Sequence, residues 1–436
     1  MYSQQMINKQ TNNPPPVKPG STFGGLGIAP KILDIISGLG FTTPTSIQHK
    51  AIPVAIEGKD IIGIAQTGTG KTLAFGIPLV QQILLARKVS NGQEGKGLIV
   101  LPTRELALQV DEAIQKIGKP FGIKTAVLIG GASVGQQIRQ LHYGPHIVIG
   151  TPGRINDLVE QRALNLSGVS ILILDEADRM FDMGFAPQIN KILKFLPKNR
   201  QTMLFSATMP DGIVKIASGH MRLPVRVEIA RAGTTAENVD HELFVVKKEQ
   251  KIPLLKKLLE EYKGSVLIFL RVKHGARKIC LALHDVGITA AEIHSNKSLN
   301  QRKEALGGFK LGKYRVLVAT DIASRGIDVK NIELVINFDL PENPEDYVHR
   351  IGRTGRAGMA GKAISFAMPD QGEKVRDIER LTRLYLPISN LPDISKHISQ
   401  PSNRSRTNDY PPRRNYPQNR GGQRSRPNYG YGKKRY

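Results

Sequence analysis

Two short segments of this chain combine residue types that could handle a charged phosphate. The first, Ala65-Gln-Thr-Gly-Thr-Gly-Lys-Thr72, ends in Gly-Lys-Thr. Gly68 and Gly70 would let backbone amides curl around phosphate oxygens. Lys71 would reach the terminal phosphates as a point charge, and Thr72 would offer its hydroxyl to Mg2+. The usual pattern opens with Gly; Ala65 holds that place here. The second segment, Asp175-Glu-Ala-Asp178, follows the apolar run 171–174. Asp175 would hold Mg2+, directly or through water. Glu176 would orient or deprotonate an attacking water. A glycine turn can merely join strand to helix, and an acidic tetrapeptide can merely sit in solvent. Context decides between these readings. The first segment lies between a strand-like run and a helical pattern, the setting a phosphate loop requires. The second follows a strand-like run further along the same chain.

Such segments need elements to hold them. From 21 to 225, short apolar runs at 60–65, 97–102, 126–129, 146–150, 171–174 and 202–205 alternate with amphipathic stretches such as 104–117. Near-continuous apolar runs of this length suit parallel strands buried on both faces. Residues 226–240 lose the pattern and read as a hinge. The alternation restarts with runs at 266–270, 290–294, 315–319, 334–338 and 363–367, separated by helical stretches such as 273–285 and 301–310. Strand-helix alternation predicts α/β folding in doubly wound parallel sheets, here twice, over 21–225 and 241–390. Ligands in such sheets sit at the carboxyl ends of strands. Both phosphate-handling segments fall at such ends.

Composition bounds the partners. The chain has 436 residues, 40% of them hydrophobic, enough for two or three packed domains. Its formal charge is +25. That balance favours a polyanion, nucleic acid first and anionic lipid second. A single cysteine, Cys280, excludes an internal disulfide and suits a reducing compartment. No apolar run approaches the ~20 residues of a membrane span. The polar, proline-bearing stretch 1–20 reads as a disordered leader. The region 391–436 reads as a basic disordered tail. From 401 onward it carries ten Lys/Arg against Asp409 alone, with Tyr410, Tyr416, Tyr429, Tyr431 and Tyr436 interspersed. Arginine can pair with phosphate and tyrosine can stack on bases, so the tail reads as an RNA tether.

The order of further motifs resembles the DEAD-box RNA helicases. After the Gly-Lys-Thr loop come Pro102-Thr-Arg-Glu-Leu-Ala107, Gly130-Gly131, Thr151-Pro-Gly-Arg154, the Asp-Glu-Ala-Asp segment and Ser206-Ala-Thr208. The later half follows with Ala319-Thr-Asp-Ile-Ala-Ser-Arg-Gly-Ile-Asp328 and His349-Arg-Ile-Gly-Arg-Thr-Gly-Arg356. The resemblance covers about residues 21–390, nearly all the foldable chain. A short leader, compact core and basic tail look most like the bacterial RhlE-type subgroup. The resemblance implies two tandem RecA-like domains, ATP as substrate with Mg2+, RNA-dependent ATP hydrolysis, local unwinding of RNA, and a cytoplasmic protein acting away from membranes. Ribosomal or RNA-decay assemblies are the implied wider setting.

It also implies roles for individual residues. Gly40-Phe-Thr-Thr-Pro-Thr-Ser-Ile-Gln48 resembles the adenine-reading Q motif, with Ser46 where the family usually has Pro. Gln48 would bond the adenine edge and Phe23 would stack on the ring. The implied nucleotide set is Phe23, Thr43, Gln48, Thr67, Gly68, Thr69, Gly70, Lys71, Thr72 and, on the ribose, Asp328. Arg353 and Arg356 would neutralise charge on the transferring phosphoryl group, and His349 would help position water. Asp178, Ser206 and Thr208 would couple phosphate state to domain closure. RNA would meet Pro102, Arg104, Gly130, Gly131, Thr151 and Arg154, then Arg271, Arg302 and Thr320. Two other readings compete: an ATP-gated RNA clamp or annealing factor driven by its tail, and a DNA helicase on the same fold. Intact Glu176, Arg353 and Arg356 disfavour the first; the adenine motif together with Asp-Glu-Ala-Asp disfavours the second.

Overall fold

The apolar runs become inner strands of two parallel sheets. The computed structural model describes residues 22–66, 68–89, 95–229, 239–320, 332–355 and 361–397. The first sheet contains β1 (Ile61–Ile64), β2 (Lys96–Val100), β3 (Thr125–Leu128), β4 (Ile147–Gly150), β5 (Val169–Leu174), β6 (Gln201–Ser206) and β7 (Val225–Glu228). Their spatial order is β3-β4-β2-β5-β6-β1-β7. Helices α1 (Pro30–Gly38), α2 (Ser46–Ile56), α3 (Lys71–Val89), α4 (Arg104–Gly118), α5 (Val134–His142), α6 (Pro152–Glu160), α7 (Ala177–Asp182), α8 (Ala186–Phe195) and α9 (Asp211–His220) connect the strands. Side chains alternate between two cores, as the pleat requires. Ile99, Ile171, Ile173, Met203 and Phe205 feed one core. Leu98, Val100, Leu172, Leu174 and Leu204 feed the other.

The second sheet repeats the plan with β8 (Val239–Val245), β9 (Val266–Leu270), β10 (Ala290–Ile293), β11 (Val316–Thr320), β12 (Leu334–Asn337) and β13 (Gly361–Ala367). Its order is β10-β11-β9-β12-β13-β8. Val266, Ile268 and Leu270 face one core, Leu267 and Phe269 the other. Its helices are α10 (Lys251–Glu261), α11 (Lys273–His284), α12 (Leu299–Lys310), α13 (Pro344–Ile351) and α14 (Gly372–Thr382). The fold is thus two tandem parallel-sheet α/β domains.

Strands β7 and β8 take up both ends of the stretch read as a hinge, and neither belongs to the apolar runs above. Both are edge strands whose residues alternate between buried and exposed. Beyond β8 the chain adds one further contact. Leu243 N donates to the Pro387 carbonyl at 2.9 Å, and Ser389 N donates to the Leu243 carbonyl at 2.8 Å. The leader and the residues from 398 onward lie outside the described residues. Among the described residues, no helix is long and apolar enough to cross a membrane.

Strand order sorts what the sequence interleaves. The loops after β1, β5 and β6 carry the Gly-Lys-Thr, Asp-Glu-Ala-Asp and Ser-Ala-Thr motifs. Those strands are neighbours in space, as β5-β6-β1. The loops after β2, β3 and β4 carry 102–104, 130–131 and 151–154, and these strands form the other flank, β3-β4-β2. All six loops leave carboxyl ends of parallel strands, where ligands of such sheets bind.

Candidate active site

The phosphate loop starts where β1 meets β6. Ile64 pairs with Ser206, and Ala65 N donates to the Ser206 carbonyl at 2.9 Å. The chain then turns through Gly68 (φ +85°) and Gly70 (φ +90°). An L side chain would be strained at either position, and a Cβ on Gly70 would also lie 2.4 Å from Gln48 Nε2. Lys71 is buried, and its Nζ donates to the Ala65 carbonyl at 3.0 Å. Thr69 Oγ donates to the Gln66 carbonyl at 2.8 Å. Thr72 is half-buried in the first turn of α3. Thr67 lies outside the described residues.

The acidic segment faces this loop. Asp175 N donates to the Val100 carbonyl, continuing the register of β5 on β2. An Asp175 carboxylate oxygen lies 3.9 Å from Lys71 Nζ and accepts from Glu176 N at 2.9 Å. Burial pushes the Asp175 carboxyl up to about 6, opposed by Lys71 and reinforced by Glu176 and Asp178. A buried carboxylate in this position calls for more positive charge than one lysine at 3.9 Å supplies. A divalent cation shared with Thr72 fits that need. Among the described residues no cluster of three or more His, Cys, Asp or Glu forms a cation cage.

Glu176 adopts a left-handed conformation, φ +52°, uncommon for a residue with a Cβ. Its carboxylate accepts from Arg179 Nη1 at 3.0 Å, and both side chains are buried. Asp178 caps the end of β6. Its Oδ2 accepts from Ala207 N and Thr208 N, both at 2.9 Å, and from Thr208 Oγ1 at 3.2 Å. In return Asp178 N donates to Ser206 Oγ at 3.1 Å.

This strand-loop-helix phosphate site and the motifs on its sheet agree with what known proteins show. The DEAD/DEAH box helicase family profile matches residues 45–216. The helicase conserved C-terminal domain profile matches 250–358. The ATP-dependent RNA helicase DbpA of Bacillus subtilis is 45% identical over 362 residues, covering 82% of this chain and 74% of that relative. This chain belongs to the DEAD-box ATP-dependent RNA helicases. The DEAD-box ATP-dependent RNA helicase CshA of Streptococcus pneumoniae is 42% identical over 362 residues, covering 83% of this chain and 68% of its own length. Among solved structures, S. cerevisiae Dbp5 bound to RNA and ADP BeF3 superimposes with a TM-score of 0.74 at 28% identity, covering 87% of this chain and 100% of that one.

The remaining residues singled out in this DEAD-box chain fall into distinct settings. Gln48 is buried, with Oε1 accepting from Thr45 N at 2.9 Å and Nε2 donating to the Gly70 carbonyl at 3.0 Å. Phe23 is buried in the first core and Thr43 is exposed. Arg104 lies against the glycine pair, its Nη1 where a Cβ on Gly131 would come within 2.3 Å. Arg154 Nη1 donates to the Ala132 carbonyl at 3.3 Å. Pro102 and Thr151 are buried at the mouths of their loops. In the second domain Thr320 and Arg353 are buried and His349 is half-buried. Arg271 is exposed and pairs with Glu342 at 2.6 Å. Arg302 turns to the first domain and pairs with Glu105. Asp328 and Arg356 lie outside the described residues.

Three residues that motif reading passed over shape this site. Arg179 holds the Glu176 carboxylate, and only its spacing of three along a helix hinted at it. Glu105 receives Arg302. Gln137 clamps the end of β3 before the glycine pair, donating to the Ile129 carbonyl at 3.0 Å and accepting from Ile129 N at 3.2 Å. No local pattern marks it.

Proposed function

We propose that the ATP-dependent RNA helicase activity of this family runs, in this chain, through the loops at the carboxyl ends of the two sheets. Lys71 and the turn at 68–70 bind the phosphates. Thr72 and Asp175 would hold Mg2+, which would supply positive charge against the phosphates. Glu176, fixed by Arg179, accepts the proton of the attacking water. Arg353 and Arg356 of the second domain complete the site, because neither domain alone carries every group. Lys71 must leave the Ala65 carbonyl to meet a phosphate. Gln48 must leave Gly70, and Phe23 must turn from the core, if they are to read adenine.

RNA lies across the β3-β4-β2 flank and onto the second domain. Arg104, Arg154 and the close-approach glycines contact sugar-phosphate, which positions the strand with little sequence choice, and 2′-hydroxyls distinguish RNA from DNA. Closure of the two domains around ATP and RNA excludes the partner strand, and hydrolysis reopens them. The observation that carries this reading is the spatial sorting of the loops: nucleotide loops on β5-β6-β1, strand-gripping loops on β3-β4-β2. Asp178 and Ser206 stand between the nucleotide loops, so their hydrogen bonds can report phosphate state to the rest of the fold.

The basic composition from 401 onward supports the RhlE-type subgroup, although the relatives named above are DbpA and CshA. The lone cysteine supports a cytoplasmic setting, and ribosomal or RNA-decay assemblies are the setting we assign to the RNA. The deciding experiment is ATP turnover without nucleic acid, with single-stranded RNA and with DNA of equal sequence. Stimulation by RNA alone is expected. Equal stimulation by DNA would overturn the RNA reading, and RNA binding without any turnover would favour a clamp.

A further inference from the structure

The end of α4, the start of β3 and the end of α5 border an open surface cavity of about 320 Å³. It opens at the amino-terminal ends of β3 and β4, on the opposite rim of the sheet from the ligand loops. Small-molecule sites begin at roughly this size. Gln115 enters from α4, Lys119 from the turn that follows it, Lys124 from the turn before β3, Gln140 from the end of α5 and Tyr143 from the residue after it; Ile123 lines the cavity from the same turn as Lys124. No carboxylate lines it. On the adjoining turns of α4, Glu112 accepts from Lys116 at 2.8 Å, and one carboxylate oxygen of Asp111 accepts from Gln115 at 2.8 Å.

The mouth is therefore cationic and aromatic together. Tyr143 is 73% exposed, unusual for a large ring. Among the described residues, neither its hydroxyl nor the Lys119 ammonium has a hydrogen-bond or ion-pair partner. Lys124 Nζ bridges to the Tyr143 carbonyl at 3.4 Å, which keeps a second ammonium beside the ring. An exposed π-face, two ammonium groups and two side-chain amides match a nucleotide, with base on ring, phosphate on lysine and base edge on amide. An inorganic phosphate would leave the ring idle. An acidic peptide would leave the flat face unmatched.

Helix α5 links this cavity to the glycine pair. It begins three residues after Gly131 and ends one residue before Tyr143. Its nine residues span about 14 Å at 1.5 Å each. The exposed side chains of Gln136 and Arg139 lie along it. We propose that the cavity is a second nucleotide-binding site, which takes one nucleotide of the RNA strand after it leaves the groove at 130–131. This rests on the RNA path given above. The same chemistry would accept a free nucleoside monophosphate, so the test separates the two sources.

The full chain and a Tyr143→Ala, Lys119→Ala variant would be titrated with two RNAs, one just filling the groove and one long enough to run past α5. The variant should bind the long RNA about tenfold more weakly, as expected for one stacked base, with a salt slope smaller by about 0.7 for the lost phosphate contact. Its affinity for the short RNA, and ATP turnover on it, should match the parent. Parental binding of the long RNA, or equal weakening on both lengths, would overturn the proposal. Failure of the short RNA to stimulate the parent chain would indict the groove itself instead. Uridine monophosphate supplies the last arm. Saturable binding that Tyr143→Ala abolishes, without any length effect on RNA, would assign the cavity to free nucleotide and overturn the strand reading.

Discussion

Arg302 of α12 donates from Nη2 to Glu105 Oε2 of α4 at 2.8 Å, and the pair is buried across the two sheet domains. Burial raises the Glu105 carboxyl while Arg302 pulls it down; burial likewise lowers the Arg302 guanidinium while Glu105 raises it. Each charge therefore depends on the other. Removing one partner of a buried pair leaves an uncompensated charge and costs roughly 3–5 kcal/mol, more than the pair itself contributes. Arg302→Ala should cut RNA-stimulated ATP turnover at least tenfold while leaving nucleotide binding to the first domain intact. Arg302→Gln should lose turnover likewise, and adding Glu105→Gln to it should recover part of that loss. Purely multiplicative effects in the double-mutant cycle would show that the pair does not couple the domains.

Asp178 Oδ2 collects three donors, two of them backbone amides. Ser206→Ala with Thr208→Ala removes only hydroxyls, so it should keep ATP turnover and lose duplex unwinding. Asp178→Asn replaces the charged acceptor of both amides and should be worse on both counts. Paired assays of turnover and strand separation test this. Parallel loss of both activities in the hydroxyl variant would refute the coupling role.

Lys71 and Glu176 should separate binding from chemistry. Lys71→Ala should weaken ATP binding and abolish turnover. Glu176→Gln keeps the size of the side chain that Arg179 holds but removes the carboxylate we assign as base, so it should trap ATP and RNA with little hydrolysis. Single-turnover kinetics would decide; a wild-type rate in Glu176→Gln would remove it from the mechanism.

Gly131 takes φ +76° beside the Arg104 guanidinium. Gly131→Ala imposes a left-handed alanine at about 1–2 kcal/mol and displaces Arg104. RNA affinity should fall several-fold while RNA-free ATP binding is unchanged. Equal RNA affinity in the variant would show that the glycine serves the turn alone.

Cys280 is buried, and burial pushes its thiol up to about 12. An unfolded cysteine ionises near 8.5. The folded state therefore holds a proton that the unfolded state releases as pH rises between these values. Any stability tied to that proton is complete below about 8.5 and is lost progressively as pH climbs toward 12. At pH 8 a thiol reagent should label Cys280 only as the domain unfolds. Rapid stoichiometric labelling of the native chain would contradict the burial.

Much of the nucleotide half was legible because its chemistry is local. A phosphate loop needs Gly68, Gly70, Lys71 and Thr72 within a few residues, and its flanking strand is a continuous apolar run. Strands buried on both faces were equally plain, as at Val266–Leu270. Strands β7 and β8 were not, because an edge strand alternates in polarity and matches no continuous run. Arg302 shows the other limit. Its basic side chain suits RNA, yet its partner Glu105 stands 197 positions away and only folding brings them together. Phe23 and Gln48 show a third: their types suit adenine, but their present partners are a core and the Gly70 carbonyl, which no spacing reveals.

The chain segment laid along β8 bears on how this protein could be shortened. An uncovered edge strand is a template for pairing with other molecules, a route to aggregation. Here Pro387 and Ser389 occupy the backbone groups of Leu243, so that part of the rim is closed by the chain's own continuation. A truncation placed between α14 and residue 387 would keep every strand of the second sheet yet reopen that rim and strip Ile394 from its core, so its penalty would appear as self-association and lost stability.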